Sequence, residues 1–80
     1  MNSLSLIQGH FNTTEAADII SKLVEVKIKF HENKITNTSN EEDIKMQESR
    51  IKELQNDLAA VKKYLSTKDK VEISAKIELP

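Results

Sequence analysis

The run Leu23-Val24-Glu25-Val26-Lys27-Ile28-Lys29-Phe30 decides the fold, and it carries two periodicities at once. Val24, Val26, Ile28 and Phe30 alternate with Glu25, Lys27 and Lys29, which is the pattern of a half-buried strand. Taken with the residues before it, however, Ala16, Ile19, Ile20, Leu23, Val26 and Phe30 fall three or four apart, on one face of an α-helix. A strand starting at Leu23 would leave a helix of only about nine residues ahead of it, short by ordinary standards. Between residues 16 and 30 there is no Gly, Pro or Asn-Gly turn to stop a helix. The run is therefore read as part of one helix over residues 13–33, with those six apolar residues as its buried face.

Upstream, Asn12 is placed to cap that helix and Glu15 to complete a capping box, with Phe11 and Ala16 as a weak hydrophobic staple. Gly9 is the single glycine, and the chain is expected to turn there, leaving His10 as a turn residue. Leu4 and Leu6, two apart, predict a short strand over residues 3–7.

Downstream, residues 34–39 form a polar linker that ends in capping residues, either Ser39 with Glu42 or Asn40 with Asp43. A second helix follows over residues 40–66. Ile44, Ile51, Leu58 and Leu65 recur every seven residues, and Leu54 and Val61 fill intermediate positions, which makes a heptad seam. Gln47 is its one polar member. A polar core residue of this kind sets register in coiled coils, but a solvated position near the helix end is the preferred reading. Glu41, Glu42 and Asp43 at the start, with Lys62 and Lys63 near the end, complement the helix dipole. After the polar turn Ser66–Lys70, the residues Val71, Ile73, Ala75, Ile77 and Leu79 alternate strictly with Glu72, Ser74, Lys76 and Glu78. That predicts an amphipathic strand over 71–79, ended by Pro80.

The expected architecture is one α+β domain over residues 1–80, in the order strand–helix–helix–strand. An antiparallel helical hairpin brings two short antiparallel strands together over one of its sides. Eighty residues bury only roughly 60–65% of the surface an unfolded chain exposes, and two strands alone are marginal in water with both edges open. Dimerisation is expected to complete the fold, through strand pairing, helix packing or both. The expected interface residues are Ile44, Ile51, Leu54, Leu58, Val61, Leu65, Ile73 and Ile77.

Several residue groups together resemble a family of short proteins of unassigned function from Bacteroidetes-type bacteria. They are Gly9-His10-Phe11-Asn12-Thr13-Thr14-Glu15-Ala16, the helix closing on Lys27-Ile28-Lys29-Phe30-His31, and Glu48-Ser49-Arg50-Ile51-Lys52-Glu53-Leu54. Members show G-x-F-x-x-x-E-A, a helix ending K-I-x-F-H, a charged second helix and a terminal alternating strand. The likeness covers most of the chain and departs in the linker, which is shorter and more polar here. It implies helix for residues 23–30 and carries over no catalytic or binding residue.

Composition excludes much. Leu, Ile, Val and Phe number 22, enough for a folded chain. Twelve basic against thirteen acidic residues, net charge −1, argue against a protein that coats nucleic acid. With no cysteine there is no disulfide, thiolate zinc site or cysteine nucleophile, and one glycine excludes Gly-rich phosphate loops. Residues 1–7 lack a basic region and a long apolar stretch, so they are not read as a signal peptide. No apolar run suits a bilayer, and a cytoplasmic protein is expected. Asn12-Thr13-Thr14 and Asn37-Thr38-Ser39 match the glycosylation sequon but are read as a helix cap and a polar loop.

The candidate chemistry is thin. His31 with Glu32 beside Lys27 has the residue types of a general base or metal ligand. A metal needs further ligands, and the other imidazole, His10, lies near the opposite end of the first helix. The preferred reading of His31 is a residue near the helix C-terminus, where the dipole favours a cation. Serine has no matched His and Asp, so no catalytic residue, cofactor or metal is expected. Lys62, Lys63, Lys68 and Lys70 form one basic patch able to touch phosphates, with Tyr64 as the nearby aromatic. The expected function is a non-enzymatic homodimeric interaction module. The alternative is a nucleic-acid-binding or regulatory accessory protein using that patch.

Overall fold

A computed structural model describes residues 2–80 and shows the order β1 (Ser3–Asn12), α1 (Thr13–Thr36), α2 (Glu41–Leu65), β2 (Lys70–Glu78). Residues 23–30 are helical, as the spacing from Ala16 onward requires. α1 begins where expected: Asn12 Oδ1 accepts from the Glu15 backbone N–H at 2.8 Å, and Glu15 Oε1 accepts from the Asn12 N–H at 3.4 Å. Its end is three residues later than expected, at Thr36, because Lys34 and Ile35 continue the helical turn and the chain breaks only at Asn37. Of the two capping options for α2, Asn40 is the cap, its Oδ1 accepting from the N–H groups of Glu42 and Asp43.

The two helices pack against each other as a hairpin. On α2 the seam is Ile44, Gln47, Ile51, Leu54, Leu58, Val61 and Leu65, all half-buried or buried. On α1 the first half of the expected face, Ala16, Ile19 and Ile20, is buried or half-buried, but the second half is not. Ile20, Val24, Ile28, His31 and Ile35 are half-buried, whereas Leu23, Val26 and Phe30 stand exposed, Val26 at 69% and Phe30 at 53%. α1 therefore carries two apolar stripes, and α2 can cover only one of them. The stripe used is the one that continues to Ile35 and so follows the hairpin to its closed end.

β1 is also longer than expected. Gly9 does not turn the chain; it lies within the strand opposite Ile73, with His10 next to it opposite Glu72. Its φ of 143° suits a glycine. An added Cβ would meet only the Phe11 ring edge, at 4.0 Å, so the constraint at Gly9 is backbone conformation rather than space.

A bulge between Ser5 and Ile7 leaves Leu6 without a partner. It reconciles two parities in the sequence, since a strand alternates faces strictly. Beyond the bulge Ile7, Gly9 and Phe11 share a face with Val71, Ile73 and Ala75; before it, Leu4 stands opposite Ile77, on that same face. The other face carries Ser3, Ser5, Gln8, His10 and Asn12 with Lys70, Glu72, Ser74, Lys76 and Glu78.

The strands pair as expected, but they do not blanket one side of the hairpin. The molecule measures 45 × 35 × 14 Å with a radius of gyration of 15.2 Å. A compact chain of this length would have about 12 Å, and two helices side by side fall well short of the second dimension. The ribbon thus projects from the open end of the hairpin. Within a single copy, among the described residues, only Ala16, Leu65 and Gln47 are buried.

Leu58→Asp places an unpaired carboxylate in the middle of the helix–helix seam. We expect loss of the cooperative thermal transition monitored by circular dichroism, since the penalty of several kcal/mol rivals the whole stability of so small a domain. An unchanged melting temperature would show that Leu58 does not face α1.

Candidate functional site: seam, stripe and ribbon

His31 and Gln47 meet across the seam near the closed end of the hairpin. The His31 Nδ1–H donates to Gln47 Oε1 at 2.5 Å. Gln47 is 8% exposed, and this corrects the expectation of a solvated helix-end position. The heptad spacing places Gln47 inward between Ile44 and Ile51, and α2 is long enough that residue 47 is already covered by α1. His31 likewise does not sit at the helix terminus: α1 runs on to Thr36, and the His31 ring turns into the seam. Its Nε2 is buried with no hydrogen-bond partner. The Phe30 ring lies edge-on to it at 5.4 Å.

Beside this pair is a hollow of about 130 Å³ lined by Lys27, His31, Arg50, Glu53, Leu54 and Asp57. Two basic and two acidic side chains there balance. Glu32, the other half of the reactive-looking pair in the sequence, is exposed and is not among the residues lining this hollow. A larger hollow of about 390 Å³ lies at the helix–helix connection against Lys34, Asn37, Thr38, Asp43, Met46 and Gln47. His10 is on the polar face of the ribbon, its Nε2 3.8 Å from Glu72 Oε2, both side chains largely exposed. The structure therefore keeps the two histidines on separate parts of the molecule. Among the described residues no three His, Asp or Glu side chains are grouped to hold a metal ion.

The basic patch is at the C-terminal end of α2 and the turn after it. Lys62, Lys63, Lys68 and Lys70 are all exposed. Lys68 Nζ lies over one face of the Tyr64 ring, 5.5 Å from its centre, while Tyr64 stays 59% exposed.

The expected interface residues divide sharply. Ile44, Ile51, Leu54, Leu58, Val61 and Leu65 line the intrachain seam, where Leu65, at 5% exposed, is buried and the others are half-buried. Ile73 is half-buried on the ribbon, and Ile77 is exposed beside Leu4.

Open apolar surface lies elsewhere, in two patches. One is the outer stripe of α1, Leu23, Val26 and Phe30, with Lys34 Nζ 4.7 Å from the Phe30 ring centre. The other is the far end of the ribbon, with Leu4, Leu6, Ile77 and Leu79. Sequence reasoning listed the members of the α1 stripe but assigned them to the wrong side. The signal that separates the stripes is Ile35, which extends the Ile20, Val24, Ile28, His31 row and has no counterpart on the other. No helix among the described residues is long and apolar enough to cross a membrane.

Comparison of the chain with protein-family models, with curated proteins and with solved structures finds no match.

The buried pair supplies a measurable test. Gln47→Ala leaves the His31 ring nitrogen without its acceptor inside the seam, and about 1–3 kcal/mol of stability should be lost in urea unfolding. Replacing both partners with leucine should recover most of that loss, because no polar group is then stranded. Equal destabilisation by the single and double changes would mean that the stranded His31 nitrogen carries no penalty of its own.

Proposed function

We propose that this chain works as a non-enzymatic homodimeric interaction module. One observation carries the reading: a single copy leaves the α1 stripe and the ribbon end open to water, with Val26 at 69% and Leu79 at 59% exposure. Contiguous apolar patches on a small surface mark association sites, whereas scattered apolar residues do not. The elongated shape supports the same reading. A hairpin and a projecting ribbon create more apolar surface than they can cover by folding on each other, and a two-fold partner supplies the missing cover. A partner is also the remedy for a two-stranded sheet with both edges free. Support for the non-enzymatic part comes from the placement of the histidines, one exposed on the ribbon beside Glu72 and one tied to an amide inside the seam.

Size-exclusion chromatography with light scattering at micromolar concentration should return twice the 9.1 kDa chain mass. A clean monomer defeats the proposal. Val26→Asp, on the open stripe, should leave the helical circular dichroism signal intact; its collapse would place Val26 inside the fold of one copy.

The lesser reading is a nucleic-acid-binding accessory protein using Lys62, Lys63, Lys68 and Lys70, whose exposure is what favours it. It predicts salt-dependent binding that weakens when Lys62 and Lys63 become alanine. Absence of a gel shift with single- or double-stranded probes at about 50 mM salt ends it, since phosphate contacts are strongest at low salt.

A further inference from the structure

The outer edge of β2 carries a charge pattern that is complementary to itself. The two-stranded sheet leaves this edge unpaired within the chain. Leu79 N–H donates to the Asn2 carbonyl, and successive residues of an antiparallel strand turn their backbone groups to opposite edges. The odd-numbered residues of β2 therefore face β1. The even-numbered ones, Lys70, Glu72, Ser74, Lys76 and Glu78, turn their N–H and C=O groups to the free edge. Their side chains make up the polar face of the strand, opposite Asn12, His10, Gln8, Ser5 and Ser3 of β1. Those neighbours offer only one titratable partner, His10, at 3.8 Å from Glu72. Lys76 finds Glu78 at 3.7 Å on its own strand, and both are well exposed.

We infer that a second copy of this chain docks on that edge, β2 against β2, antiparallel about a two-fold axis at Ser74. The product is a four-stranded sheet in the order β1–β2–β2–β1. In this register Lys70 stands opposite the partner's Glu78, and Glu72 opposite the partner's Lys76, and the symmetry repeats both pairs. Four opposite-charge pairs thus flank Ser74, which meets the partner's Ser74. On the other face Val71 meets the partner's Ile77 and Ile73 the partner's Ala75, so the apolar rows of the two ribbons join. Opposite charges directly across two strands stabilise the pair and like charges destabilise it.

Every neighbouring arrangement fails that rule. Sliding by two residues one way sets Lys70 against the partner's Lys76; sliding the other way sets Glu72 against the partner's Glu78. Parallel pairing in register puts each lysine beside a lysine and each glutamate beside a glutamate. A slip of one residue turns the apolar row to the polar side. β1, whose one titratable side chain is His10, has no such pattern to set a register on its own free edge.

This inference rests on the homodimer reading and adds the mating edge and the register. The test uses two full-length variants, Lys76→Glu and Glu72→Lys, in sedimentation equilibrium, with circular dichroism to show that each folds. Each variant alone sets like charges against each other twice across the axis, and its dimer dissociation constant should rise about ten-fold or more. Mixed in equal amounts, the two variants form a heterodimer in which position 72 of each chain again faces an opposite charge at position 76 of the other. Association should then return to near the original level. The combined change of both sites in one chain should recover it likewise. A dimeric parent whose two variants associate normally overturns this edge while leaving the homodimer reading intact. Weakened variants that neither mixing nor combination restores overturn the register. A monomeric parent removes both.

Discussion

The seam between α1 and α2 is where the described residues cover apolar side chains along a continuous line, and every other feature hangs from it. Seven positions of α2, from Ile44 to Leu65, meet the α1 row that runs from Ile20 to Ile35. A helix is a narrow cylinder, and one neighbour covers about one stripe of it. α1 has two stripes. The cost of that arrangement is visible in Leu23, Val26 and Phe30, which stay in water. The ribbon, held at the open end of the hairpin by the direct passage of β1 into α1 at the Asn12 cap, does not fold back over that second stripe. The shape of the molecule and its open surface thus have a common cause.

The seam is not wholly apolar. His31 and Gln47 face each other where two aliphatic side chains would pack with less constraint. A polar pair in such a position contributes little net stability, since each group gives up water to find the other. What it adds is discrimination: sliding either helix by a turn would strand both polar groups among aliphatic neighbours. The hairpin register is thereby tied to one pair of residues near the connection, while the longer aliphatic stretch from Ile51 to Leu65 supplies the burial.

The ribbon solves a different problem, one of parity. Leu4 and Leu6 lie on even positions, while Ile7 and Phe11 lie on odd ones, and a regular strand would send them to opposite faces. The extra residue at the bulge brings Leu4 back to the face of Phe11, so that a single apolar row runs along each strand. The opposite face is left with uncharged residues on β1, His10 apart, and with the charges on β2. That division concentrates the electrostatic information of the ribbon on one strand and one edge.

The element order, the helical state of residues 23–30, the Asn12–Glu15 capping box, the inward heptad of α2 and the alternating β2 were legible in the sequence. Each depends on spacing within one segment, and spacing survives whatever the rest of the chain does. The face that α1 buries, the passage of β1 through Gly9, the bulge at Leu6 and the partnership of His31 with Gln47 were not. Those depend on which of two apolar stripes the partner helix meets, and on which strand residue finds no partner across the ladder. Within α1 the one local sign is Ile35, and it does not decide the matter alone, because both outcomes are set by contacts between residues far apart along the chain. Local periodicity determined the elements; only the tertiary structure decided which sides of them touch, and hence which apolar surface is left for another molecule.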